Sequence, residues 1–308
     1  MKYLTVLAMA LALLVSTDVS RPRILGAAHA AFYVSDLAKA RTFYTDFLGF
    51  AEAPFALKKS DGAERIIFIK INDTQYIELF AEPTRGEGQL NHIAIQTDDT
   101  DRMRDYLAAR GVAVPSTVGR GQTGNKNFTV KDPDGHTVEI VQYLPDSKTS
   151  REAGRSMPAT RIANRLMHMG FLVGKLDASQ GFYSGVLGFR EFWRGQPPGS
   201  ATLSWVNMRM PDGEDYVEFM LYDTLPAPAD RGTKNHISLE VQDAQRAVDE
   251  LQRRAARGLY AREIVLRIGV NRRRQVNLFD PDGTRVELME SRTVDEQAAA
   301  TPVTRPRR

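Results

Sequence analysis

Cysteine is absent from the 308-residue chain, which excludes disulfides, thiolate metal sites and cysteine nucleophiles together. Long apolar runs are nearly absent as well. The one that exists, Leu4 to Val15, is too short to span a bilayer comfortably, so an integral membrane bundle is excluded. No charge of one sign dominates: 41 Lys and Arg stand against 38 Asp and Glu, for a net +3. Residues 1–20 hold Lys2 and Asp18 and sum to zero, and residues 292–308 hold Arg292, Arg305, Arg307 and Arg308 against Asp295 and Glu296 for +2, which leaves the body at +1. A nucleic-acid binder needs a basic face on its folded domain, and this balance does not supply one. With 42% apolar and 26% charged residues, the composition is globular and excludes wholesale disorder, collagen and coiled coil.

The first residues, Met1-Lys2-Tyr3, lead into that apolar run. One positive charge before a short hydrophobic core is the shape of a bacterial secretory signal. The expectation is a signal peptide or N-terminal anchor over 1–20 and a periplasmic or secreted protein, with no other membrane contact. A cysteine-free chain suits an oxidising compartment.

What the chain does contain is repetition. Phe43-Tyr44-Thr45-Asp46-Phe47-Leu48-Gly49-Phe50 recurs as Phe182-Tyr183-Ser184-Gly185-Val186-Leu187-Gly188-Phe189, Asn91-His92-Ile93 as Asn235-His236-Ile237, and Asp132-Pro133-Asp134-Gly135 as Asp280-Pro281-Asp282-Gly283. Two domains are expected, over 24–146 and 162–291, with a polar linker at 147–161 and a disordered tail at 292–308. Each half splits again. In the first module Leu25–Val34 reads as a strand and Asp36 opens a helix whose apolar stripe runs through Leu37, Ala40, Phe43 and Phe47 until Gly49 ends it. Strand runs follow, and the Asp-Pro-Asp-Gly segments are hairpin turns. The unit of strand, helix and two or three strands occurs four times, an α+β chain with helices on one face of mostly antiparallel sheets.

The ionisable residues follow the repeat. His29, His92, His168 and His236 each lie in the first strand of a module, and Glu78, Glu139, Glu218 and Glu287 each lie in the last, at separations of 49, 47, 50 and 51 residues. A single strand histidine is ordinarily a hydrogen-bonded core residue, and a strand glutamate ordinarily marks a solvated face. Four matched pairs are a different matter. A glutamate buried in a concave sheet is costly unless something positive meets it, and a cation held by imidazoles and carboxylates accounts for both residue types. Such a mixed nitrogen and oxygen set suits a first-row divalent metal. His136, which follows the turn at 132–135 and has no counterpart in the other modules, reads as an exposed bystander.

On these motifs the chain resembles the vicinal oxygen chelate superfamily, which includes glyoxalase I, methylmalonyl-CoA epimerase, fosfomycin-resistance enzymes and extradiol dioxygenases. The resemblance implies four βαβββ modules paired into two such domains, each a cupped sheet around one divalent ion (Zn, Ni, Co, Mn or Fe). It carries the ligand role to His29, Glu78, His92, Glu139, His168, Glu218, His236 and Glu287. Modules can pair within each half, or crosswise so that His29 and Glu78 meet His236 and Glu287; the sequence leaves both open.

The implied activity is that of a glyoxalase-like lyase or isomerase acting on a small molecule with vicinal oxygens through an enediolate, with Glu78, Glu139, Glu218 and Glu287 as the candidate catalytic carboxylates and one per site doubling as base. A ring-cleaving iron dioxygenase is the rival within the same superfamily. Against it, the second half has no histidine beyond His168 and His236, and Asn277 stands where such proteins tend to place Tyr. A non-enzymatic binding or resistance protein is the third reading, although those relatives often lack the ligands kept here. Two basic segments, Arg120 with Lys126 and Arg267 with Arg272, Arg273 and Arg274, would suit an anionic substrate or simply protect edge strands. The expected assembly is a monomer or homodimer.

Overall fold

The computed structural model describes residues 19–82 and 89–300; apart from residues 19 and 20, the expected N-terminal signal or anchor lies outside the described residues. Among the described residues no helix is long and apolar enough to cross a membrane. Two large sheets, one per sequence half, form the molecule. The first contains β1 (Ile24–Val34), β2 (Ala51–Glu52), β3 (Leu57–Lys58), β4 (Glu64–Lys70), β5 (Tyr76–Ala81), β6 (Leu90–Thr97), β7 (Gly119–Arg120), β8 (Lys126–Lys131) and β9 (Thr137–Gln142). Helix α1 (Leu37–Arg41), prolonged by a π-helical turn at Thr42–Phe47, follows β1, and α2 (Thr100–Ala109) follows β6. After α3 (Lys148–Arg151) the plan repeats: β10 (Arg165–Val173), α4 (Leu176–Gln180) with its π-helical turn Gly181–Val186, β11 (Arg190–Gly195), β12 (Trp205–Arg209), β13 (Tyr216–Leu221), β14 (His236–Val241), α5 (Ala244–Arg253), β15 (Leu266–Ile268), β16 (Arg273–Phe279), β17 (Arg285–Thr293) and α6 (Val294–Ala300).

The strand orders are β2-β4-β5-β1-β6-β9-β8-β7, with β3 on β4, and β11-β12-β13-β10-β14-β17-β16-β15. The first strands of two successive modules therefore pair with each other, antiparallel, at the middle of each sheet. Each is flanked by the last strand of its own module, and those pairings are parallel. The other pairings are antiparallel, so the sheets are mixed and, as expected, mostly antiparallel. This is the α+β architecture of four paired modules expected from the repeat, and the modules pair within each half.

Alternation along the central strands sorts their side chains. One face of the first sheet carries Phe32, Ile77, Leu79, Ile93, Ile95, Val138 and Ile140, all buried in the core beneath the helices. The other carries His29, Glu78, His92 and Glu139. The repeated Phe-Tyr motif explains the helix end. Phe43, Tyr44, Phe47 and Leu48 are each at most 5% exposed, and burial of one such side chain contributes about 1.5–3 kcal/mol. Leu48 N bonds to Phe43 O and Phe50 N to Tyr44 O, a wide turn that Gly49 closes at φ +77, where glycine is the residue without strain. A Cβ on Gly49 would also lie 2.1 Å from the carbonyl oxygen of Thr160. The start of α1 is capped by Asp36, whose Oδ1 accepts from the amides of Ala38 and Lys39. Asp36→Ala is expected to destabilise the protein by about 1 kcal/mol, read as a lower urea midpoint.

The two halves lock together through the Asp-Pro-Asp-Gly turns, reciprocally. Tyr44 donates to Asp280 at 3.3 Å, and Tyr183 donates to Asp132 at 3.2 Å. Asp282 accepts from the amide of Ser35, and Asp134 accepts from the amides of Gly174 and Lys175. Each hairpin turn therefore sits at the start of the other half's first helix.

Two expectations change here. His136 is not an exposed bystander: its Nδ1 lies 2.9 Å from Asp132 and its ring packs on Phe171 of the other half, at 4.9 Å between centroids. The tail expected to be disordered from 292 instead continues as β17 to Thr293 and then α6, because Arg272 pairs with Asp295 and Gln297 bonds to Glu290; residues 301–308 lie outside the described residues. The linker at 147–161 is packed, since the buried Lys70 ammonium is satisfied by the carbonyls of Glu152 and Arg155.

Candidate metal centre

Pairing of β1 with β6 sets the first cup. Ala31 lies opposite both Glu78 and His92, and Ala94 lies opposite both His29 and Glu139. Opposed residues share a face, so two histidines and two glutamates from four adjacent strands point to one side. Their atoms converge. Nε2 of His29 is 2.9 Å from Nε2 of His92, 3.5 Å from Glu78 and 3.4 Å from Glu139. Nε2 of His92 is 2.9 Å from Glu139 and 4.0 Å from Glu78. Outer contacts aim the donors: Asn127 donates to Glu139 at 2.7 Å, and Asn91 meets Nδ1 of His92 at 2.6 Å.

The cup encloses a cavity of about 160 Å³ lined by all four residues, by Tyr76 and by Thr149 of the linker. Gly121, Gln122 and Thr123 of the preceding loop also line it. The cations of that loop turn outward, Arg120 to Asp146 and Lys126 to Asp101, so they do not serve the cavity.

Burial disfavours charge on every member of the cup, but the members answer one another. For His29 burial lowers the pKa, and the charges of Glu78 and Glu139 outweigh it, so the net shift is upward. Burial raises Glu78. Glu139 is more deeply buried, yet it is held below the usual carboxylate range by His29 and His92. The two carboxylates are thus distinct: Glu139 is held on three sides, and Glu78 stands further off with 13% of its side chain open.

The second cup repeats the pattern with differences. Nε2 of His168 is 3.0 Å from Nε2 of His236 and 3.5 Å from Glu287, and His236 is 3.5 Å from Glu218. Glu218 is pushed up to about 8 by burial and by the Glu287 charge. Both histidines are driven well below their ordinary value by burial and by the nearby Arg285. That arginine was missed in the sequence, although a signal existed: it stands two residues before Glu287 on a strand, and so shares its face.

Both cups contain the residue types of a metal site. His29, His92 and Glu139, and likewise His168, His236 and Glu287, each offer ligand atoms within 4.8 Å of one another, and neutral imidazole with carboxylate suits a first-row divalent ion. The crosswise alternative is not what the fold builds. His29 and Glu78 meet His92 and Glu139 of their own half, because β1 pairs with β6.

The chain matches the Glyoxalase/Bleomycin resistance protein/Dioxygenase superfamily over residues 26–140 and again over 165–288. A putative lactoylglutathione lyase of Brassica oleracea var. gemmifera is 24% identical over 283 residues, covering 85% of this chain and 90% of that protein. Among solved structures, the 2,3-dioxygenase LapB from Pseudomonas sp. KL28 superposes with a TM-score of 0.65 at 18% identity, covering 88% of this chain and 94% of that one. The Mn(II)-bound glyoxalase from Novosphingobium aromaticivorans superposes at 0.63 with 16% identity, covering 87% of this chain and 83% of that one. These two likenesses bear on the fold.

Proposed function

The chain belongs to the Glyoxalase/Bleomycin resistance protein/Dioxygenase superfamily, and on that premise we propose that it is a divalent-metal-dependent lyase or isomerase. Its reaction moves a proton between neighbouring carbons of a small molecule that carries adjacent oxygens. The observation that carries this reading is the first cup, where two imidazoles and two carboxylates meet within 4.0 Å of one another's histidine nitrogens. A divalent ion held by His29, His92 and Glu139 supplies Lewis acidity for the negative charge that develops on the substrate oxygens. Glu78 takes the proton next to the carbonyl and returns it one carbon away. Its burial raises its basicity toward the working range, and its looser hold leaves it free to approach the substrate. Tyr76, Phe80 and the loop at 121–123 form part of the cavity wall.

The N-terminal segment supports export, so we place the enzyme in the periplasm or outside the cell; sequencing the N-terminus of the mature protein from that fraction tests it.

Proton transfer consumes no oxidant. With hydroxy-carbonyl compounds as candidate substrates, turnover is expected to persist after complete removal of oxygen and with redox-inactive Zn²⁺ as the only metal. Turnover that stops anaerobically and resumes with air would replace this reading with an iron dioxygenase.

A further inference from the structure

The two cups carry the same four ligand types, but the groups behind them differ, and the difference centres on Arg285. β14 pairs with β17 so that Arg285 lies directly opposite His236. In the first sheet the corresponding residue, two before the glutamate, is Thr137. Nη2 of Arg285 is 2.6 Å from Nδ1 of His236. A guanidinium has donors only, so Nδ1 of His236 accepts. The carbonyl of Lys234, 3.1 Å from the same nitrogen, then faces a lone pair and is not a hydrogen-bond partner.

The proton of the neutral ring is thereby placed on Nε2, which faces Nε2 of His168 at 3.0 Å. His168 accepts it there and keeps its own proton on Nδ1, which is buried without a partner. The two facing nitrogens also meet in the first cup, at 2.9 Å, so what sets the second cup apart is the cationic donor at the back of His236. In the first cup the arrangement is reversed: Nδ1 of His92 meets the side-chain oxygen of Asn91 at 2.6 Å, which leaves the lone pair of Nε2 facing the cup, the arrangement metal-binding histidines use. Asn235, in the place of Asn91, accepts instead from the amide of Leu172.

Two further features agree. The His236 ring lies over Gly170, where a Cβ would be 2.0 Å from its Cε1; the first sheet has Ala31 at that place, opposite His92. The second ring is therefore drawn down onto the backbone, into space that the first cup fills with a methyl group. The cavities differ accordingly. His29 and His92 line the first, whereas the second, about 240 Å³, is lined by Glu218, Glu287, Asn277 and Arg285 but neither histidine.

We propose that the chain holds one resident divalent ion, in the first cup, and that Arg285, seated at the back of His236, keeps the second cup from holding one. The field of this fixed positive charge reaches Glu218 and Glu287 and opposes the entry of a dication beside the buried histidines. The inference rests on the metal dependence proposed above.

The test is metal content per chain of the intact protein, measured by elemental analysis after loading with Mn²⁺ or Zn²⁺ and desalting. One ion is expected. His29→Ala and His92→Ala should bring it to zero, whereas His168→Ala and His236→Ala should leave it at one. Arg285→Thr, which installs the residue of the first sheet, should raise it to two. Two ions in the unaltered protein, or loss of the ion in His168→Ala, overturn the inference, as does a folded Arg285→Thr protein that still holds one. If Arg285→Thr does not fold, the four histidine variants decide the location alone. A protein that binds no ion at all overturns the functional reading instead.

Discussion

Glu78→Gln is expected to lower kcat by about 10²–10⁴-fold, the range for loss of a positioned general base, with the metal content of the first cup retained. The glutamine keeps the volume and an oxygen where the carboxylate was, so the cup stays assembled. What it loses is the site for the proton. The two carboxylates separate in this test because they are held differently. Glu139 is fixed by His92 at 2.9 Å and by Asn127 at 2.7 Å, so its replacement should weaken metal binding first. Asn127→Ala should do the same by about 10–100-fold, the usual effect of removing a partner behind a ligand. Metal titration beside steady-state kinetics on the same variants distinguishes the two roles. A Glu78→Gln enzyme that loses its metal but regains full kcat when saturated with it would remove Glu78 from proton transfer. Lower pH should weaken metal binding throughout, because imidazole and carboxylate bind only after losing their protons.

Asp132→Ala is expected to destabilise the protein by about 3–5 kcal/mol, the cost of breaking a buried, multiply bonded acid. Asp132 accepts from the amides of Asp134 and His136, from Nδ1 of His136 and from the hydroxyl of Tyr183. Alanine leaves all of these without a partner, and Tyr183 is fully buried. Tyr183→Phe removes only the hydroxyl and its bond, and should cost about 1 kcal/mol. Because Asp132 belongs to the first half and Tyr183 to the second, Asp132→Ala should also split a single calorimetric transition into two. A midpoint within error of the unaltered protein would show that the turn does not join the halves.

Much of this was legible along the chain because it is periodic. Four strand histidines and four strand glutamates at near-equal separations required four copies of one unit, and alternation along a strand then placed them on one face. The Phe-Tyr helix ends were equally legible, since a glycine that closes a turn and a buried aromatic stripe are both local. His136 was misread for the converse reason. Its environment is Phe171, a residue of the other half, and no local pattern reports a neighbour 35 positions away in sequence. The tail was misread similarly: its anchors, Arg272 and Glu290, lie on β16's approach and on β17.

By itself, the sequence determined the unit, its fourfold repetition, the α+β class and the eight candidate ligands, because each of these follows from spacing within one module. Tertiary structure alone decided which modules share a cup, since that depends on β1 pairing with β6 and β10 with β14 across some 60 residues of chain. It alone made the Asp-Pro-Asp-Gly turns into the joint between halves. It also set the two cups apart: which nitrogen of a histidine carries the proton depends on the group at its back, Asn91 in one cup and Arg285 in the other, and that group is brought there only when the strands have paired.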